Sequence, residues 1–145
     1  MMFIVLFSFL VFAQEPSPQP IQPTTEEKKM DVTAKIRVMV PKDGFVKLNT
    51  PTSVIISLQN NASTASTALL NDQTVQTTLT LPNGETQTIS IPWSTQKAHI
   101  EVGNSFAAFG RLSLVTPGNY TLRFWWTPSG PPSKEPTQTI ELVVQ

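Results

Sequence analysis

Beyond residue 30, apolar and polar side chains alternate with a period of two, and Pro, Gly and Asn interrupt the alternation at intervals typical of turns. In residues 31–40, Val32, Ala34, Ile36, Val38 and Val40 alternate with Thr33, Lys35, Arg37 and Met39. That pattern predicts a half-buried strand, ended by the turn Pro41-Lys42-Asp43-Gly44. Residues 45–48 form a short continuation, broken by Asn49-Thr50-Pro51. The second main strand spans 52–59, with Val54, Ile56 and Leu58 inward and Ser53, Ser57 and Gln59 outward; alternation leaves Ile55 on the outer face without explaining it. Small polar residues make 60–72 a long loop, unusually apolar at Ala68, Leu69 and Leu70. In 73–81, Val75, Thr77, Leu79 and Leu81 share a face. Asn83-Gly84, two residues that tolerate positive φ, then predicts a tight hairpin, leading into a strand over 85–91 with Ile89 and Ile91 inward. A connection over 92–104 carries Trp93, His99 and Ile100. The strand over 105–115 points Phe106, Ala108, Leu112 and Leu114 inward, with Gly110 marking a bulge or a close approach. A proline-rich loop over 127–137 precedes the last strand, 139–144.

The strand beginning at Asn119 shows the strictest alternation. Tyr120, Leu122, Phe124 and Trp126 take one face, Thr121, Arg123 and Trp125 the other, directly after the Pro117-Gly118 turn. A Tyr at the start of such a strand fits a tyrosine corner, its ring inward and its hydroxyl bonded to nearby backbone. With these residues the chain resembles an immunoglobulin-like β-sandwich domain, found in many secreted and cell-surface proteins. The resemblance implies an all-β sandwich of about seven antiparallel strands over residues 31–145. An antibody-type domain would carry a Cys two residues after the corner Tyr. That position is Leu122 and the chain has no Cys, so hydrophobic packing replaces the bridge between sheets. The segments Leu81-Pro82-Asn83-Gly84-Glu85 and Pro117-Gly118-Asn119-Tyr120 are also loosely similar to immunoglobulin-like domains that flank glycoside hydrolases.

Residues 2–12 are apolar apart from Ser8, too short a run to cross roughly 30 Å of hydrocarbon as a helix. Small residues before a break between Ala13 and Gln14 fit the cleavage pattern of a secretory signal peptide over 1–13, although the segment ahead of the apolar run has no Lys or Arg. Retention of this segment uncleaved would be the chain's only membrane attachment. Residues 14–30 hold four prolines and are expected to form an extended Pro-rich linker. The protein is therefore expected to be secreted, extracellular or periplasmic, or held at the surface with that linker as a spacer.

Charge narrows the functional classes. Ten basic residues balance ten acidic ones and only 14% of residues are charged, so the basic footprint of a nucleic-acid binder is missing. His99 is the single imidazole, and no His-x-x-x-His, acidic calcium loop, phosphate-binding Gly loop or Gly-x-Ser-x-Gly elbow occurs. No catalytic residue, cofactor or metal site is assigned, and the chain is expected not to be an enzyme. Two sequons, Asn61-Ala62-Ser63 and Asn119-Tyr120-Thr121, are candidate glycosylation sites; a glycan on the second would compete with packing at the corner.

Strand alternation places the connections 60–72, 92–104 and 127–137 at one end of the sandwich and the tight turns at the other. The first end gathers Leu69, Leu70, Trp93, Trp125 and Trp126, the candidate ligand contacts. Trp125, opposite in face to Tyr120, is the best candidate for an exposed contact, whereas Trp93 and Trp126 also suit a plug closing the core. A binding or adhesion module recognising a protein or glycan at the cell surface is the favoured function. A self-associating filament subunit built by strand exchange and an accessory, carbohydrate-associated or inhibitor-like, domain of an exported system are the alternatives.

Overall fold

A computed structural model describes residues 30–145, so the expected signal segment 1–13 and nearly all of the linker 14–30 lie outside the described residues. The described chain is all-β, with nine strands in three sheets: β1 Val32–Val38, β2 Thr52–Asn60, β3 Ser66–Leu69, β4 Val75–Thr80, β5 Thr86–Ile89, β6 Lys97–Ile100, β7 Ser105–Leu112, β8 Gly118–Trp126 and β9 Gln138–Val144. One sheet runs β1-β2-β7, a second β5-β4-β8-β9, and β3 and β6 form a separate ribbon. Every strand pairing is antiparallel.

The inward positions follow the alternation. Val54, Ile56 and Leu58 on β2 meet Leu122 and Phe124 on β8 in one hydrophobic cluster, all five with no exposed surface. Burying each such side chain contributes about 1.5–3 kcal/mol, which lets a Cys-free chain hold its layers by packing. Tyr120 lies in the same cluster and its hydroxyl donates to the Thr116 carbonyl at 2.8 Å. Ile55 acquires an explanation from register: it pairs with Arg37 of β1 and Phe109 of β7, so its outward side chain stands beside the aliphatic stem of one and the ring of the other on the outer face of the three-stranded sheet.

Several expectations are corrected. β1 ends at Val38, and Val40 is exposed. The segment after the first turn does not continue β1. It crosses to the other sheet, where Val46 forms a parallel bridge with Val144 and Leu48 donates to Gln145. At the 83–84 hairpin only Gly84 takes positive φ, at 87°; Asn49 is the one described non-glycine residue in that region. The Gly84 N–H donates to Leu81 and the Leu81 N–H to Glu85, the three-residue loop closed by a left-handed glycine rather than the two-residue turn. Gly110 marks a close approach and no bulge, since the β2–β7 register runs unbroken past it. A Cβ there would run into the Ile91 side chain and sit 3.3 Å from the Trp93 ring.

The largest correction concerns the two long connections. Within 60–72 and 92–104, β3 and β6 pair, with Ala68, Leu70, Ala98 and Ile100 buried and Leu69, Thr67, Lys97 and His99 facing out. Asn60, fully buried at the end of β2, ties the ribbon in place. Its amide donates to the carbonyls of Thr64 and Ile100, both at 2.9 Å, and its side-chain oxygen accepts from the Ala62 N–H at 2.9 Å.

Candidate functional site

The register of β4 against β8 builds the site. Val75 faces Trp126, Gln76 faces Trp125 and Thr78 faces Arg123, so the outward side of the four-stranded sheet carries Gln76, Thr78 and Trp125 as neighbours. On the other side of β4, Thr78 faces Thr88, and continuing that register sets Ser90 beside Gln76. The result is a row Ser90, Gln76, Trp125 crossing the sheet. Over it opens a groove of about 670 Å³, walled by Asp72 on one side and by Pro132, Ser133 and Lys134 on the other. Such a volume lies within the usual range of small-molecule sites, about 300–1,000 Å³.

Two hydrogen bonds fix one wall. The Ser90 hydroxyl lies 2.7 and 2.9 Å from the two carboxylate oxygens of Asp72, which holds the carboxylate at the groove's edge. Asp72 is set in turn by the tight turn that opens β4. The Asn71 side chain accepts from the Gln73 N–H at 2.9 Å, and the Thr74 hydroxyl donates to the Leu69 carbonyl at 2.7 Å. The opposite wall is anchored by Ser133, whose hydroxyl donates to the Glu135 carbonyl at 2.6 Å. Trp125 is half-buried between these walls.

The structure separates the five candidate contacts. Trp125 lines the groove. Trp126 is half-buried against the core, and its indole N–H donates to the Val32 carbonyl at 2.7 Å, tying β8 to β1. Trp93 is not at the same end. It packs against the core over Gly110, beside Ser94, whose N–H donates to Phe109 of β7. Leu70 is 2% exposed and belongs to the core, while Leu69 is exposed on the ribbon opposite Lys97. Of the sequon residues, Asn61 is exposed and donates to Thr33. Asn119 is also exposed, on the face opposite Tyr120, so the expected competition with packing does not arise.

Alternation alone marks Gln76, Thr78 and Thr88 as outward, but their convergence on Trp125 depends on register, and Asp72, Ser90 and Lys134 enter from loops. A second row, Thr67, His99 and Glu101, lies on the ribbon: His99 Nδ1 is 3.3 Å from the Thr67 hydroxyl and Nε2 is 3.1 Å from Glu101. The His99 and Glu101 side chains are 62% and 65% exposed, and none of the three residues lines the groove. Among the described residues no cluster of three or more His, Cys, Asp or Glu side chains is placed to hold a metal ion, and no helix is long and apolar enough to cross a membrane.

No protein-family model and no curated protein matches the sequence. Solved structures do resemble the fold. A β-glucosidase from Erythrobacter marinus aligns with a TM-score of 0.55 at 16% identity, over 80% of this chain and 16% of that one. The alkylpurine DNA glycosylase AlkC of Pseudomonas fluorescens, bound to DNA containing an abasic-site analogue, aligns at 0.50 and 10% identity, over 80% of this chain and 31% of that one. A Bordetella pertussis protein with the provisional name ApaA aligns at 0.51 and 15% identity, over 79% of this chain and 94% of that one. This chain thus spans a minor part of the two enzymes and nearly all of the third protein, and what the three share with it is a fold.

Proposed function

We propose that this chain is a non-catalytic, immunoglobulin-like recognition module that works outside the cytoplasm and takes its ligand in the groove over Trp125. The immunoglobulin-like reading is supported by the arrangement of a β1-β2-β7 sheet and a β5-β4-β8-β9 sheet around one core and by the Tyr120 hydroxyl bonded four residues back, as a tyrosine corner requires. Export is supported by the apolar segment 2–12 and the residues that follow it.

The observation that carries the functional reading is the position of Trp125. A large aromatic side chain on the outward side of a Thr-rich sheet contributes little to the core, and here it floors a walled groove of about 670 Å³. Rigid aromatic side chains give large contact area at small entropic cost, which suits them to recognition. The test is capture from panels of immobilised cell-surface glycans and proteins by the full chain and by Trp125→Ala. A ligand held by the parent and lost by at least about tenfold in the variant, with unchanged circular dichroism, is the expected result; about 1.4 kcal/mol of lost contact suffices for that factor. Equal binding by Trp125→Ala would refute the assignment.

A further inference from the structure

Resting on the Trp125 groove as the binding site, we infer that its ligand is a neutral oligosaccharide, one ring stacked on the Trp125 indole and its hydroxyls bonded to Asp72 and Gln76. The backbone argues first. Beneath the ring the groove's floor is made by β4 and β8, which are interior strands, each paired on both sides. An extended peptide gains most of its affinity from main-chain bonds to a free sheet edge; that edge, β5, meets the groove only at residues 88–90, and beside the indole the floor offers side chains only.

The polar side chains of the lining are hydroxyls and one amide, with one carboxylate, Asp72, and one ammonium, Lys134, on opposite walls, and Val75, Ile89 and Pro132 join Trp125 as its apolar part. The lining itself carries one charge of each sign, and the next charge on the same face is Arg123, opposite Thr78, so the site holds no strong field to draw in an acidic or basic ligand. The indole presents a flat apolar face whose π-system is negative, and the slightly positive C–H face of a pyranose ring fits against it. The rim of the same ring bears hydroxyl donors. An ionised carboxylate offers about four acceptor positions, and the Ser90 hydroxyl, 2.7 and 2.9 Å from the two oxygens, leaves positions open toward the groove. Gln76, next to Trp125 in register, supplies both a donor and an acceptor at the ring's edge. The groove's volume accommodates more than one sugar ring.

Isothermal titration of the full chain provides the test. The probes are neutral tetrasaccharides of glucose, mannose and N-acetylglucosamine, an acidic oligogalacturonate, and an uncharged Thr- and Gln-rich peptide. At least one neutral saccharide should bind with an affinity indifferent to salt, as expected where no ligand charge is screened. Trp125→Ala should weaken that binding by more than about tenfold, Trp125→Phe should keep most of it, and Asp72→Asn and Gln76→Ala should each weaken it severalfold. Failure of every neutral saccharide overturns the inference. If the acidic probe or the peptide binds instead and loses affinity in Trp125→Ala, the groove stands and its ligand class does not. Saccharide binding that survives Trp125→Ala overturns both.

Discussion

Replacing Asn60 with Leu should release the β3–β6 ribbon from the two larger sheets. Leu shares the branched heavy-atom skeleton of Asn, with bulkier methyl ends, so the site is not emptied, but it cannot make any of the polar contacts. The Ile100 carbonyl loses a buried donor at 2.9 Å, the Thr64 carbonyl loses a second at 2.9 Å, and the Ala62 N–H loses its acceptor at 2.9 Å. A weaker contact from the Ser66 hydroxyl, at 3.4 Å, goes as well. A buried polar group left without a partner costs about 1–3 kcal/mol, and a bond whose ends regain water costs about 0.5–1.5 kcal/mol. With the Ile100 bond buried and the other two partly so, the loss comes to about 3 kcal/mol. Added apolar burial from Leu recovers at most about 1 kcal/mol. Urea denaturation followed by tryptophan emission measures this directly. For a slope of about 2 kcal/mol/M the midpoint should fall by about 1–1.5 M. Amide exchange should also accelerate at Ala98 and Ile100 more than at Leu122, because the ribbon opens before the core does. A midpoint shift below about 0.3 M, or uniform exchange across the chain, would refute the view that Asn60 clamps the ribbon.

Gly110→Val should lower stability by about 1–3 kcal/mol, because the new side chain overlaps Ile91 and the Trp93 ring in a filled core; thermal unfolding with a red-shifted Trp93 emission is the readout. Trp126→Phe keeps an aromatic ring but loses the indole bond to Val32, so it should lower stability by about 1 kcal/mol, with faster amide exchange at the start of β1. Phe109→Ser, on the exposed outer face, should shift stability by no more than about 0.5 kcal/mol; an unaltered denaturation midpoint is the check.

The main strands were legible because each buries one face, and alternation over six or more residues leaves little choice of which face that is. Strand β8 is the clearest case, with Tyr120, Leu122 and Phe124 inward as its sequence demands. The ribbon was not legible. Ser66–Leu69 and Lys97–Ile100 are four residues each, with small or polar side chains at half the positions, and become strands only by pairing with each other. The same holds for Leu70: within a loop its side chain would be exposed, whereas beside the ribbon it is buried. The position of Trp93 is equally hidden, because nothing in the sequence says that residues 92–94 run along β7 toward Gly110. The groove shows the same boundary between pattern and register. That Trp125 faces outward follows from counting along one strand, but that Gln76 lies beside it follows from which residue of β4 pairs with it.

The three tryptophans are in three different settings, so their indole N–H signals can report separately on the groove, the end of the core and the β7 side. Two-dimensional proton–nitrogen NMR of the labelled full chain, titrated with the tightest saccharide, tests the central claim most directly. Trp125 should move together with the amides of Gln76, Thr78, Thr88 and Ser133, while the indole signals of Trp93 and Trp126 stay in place. Movement centred on Trp126 or on the β3–β6 ribbon, with Trp125 unmoved, would contradict the account.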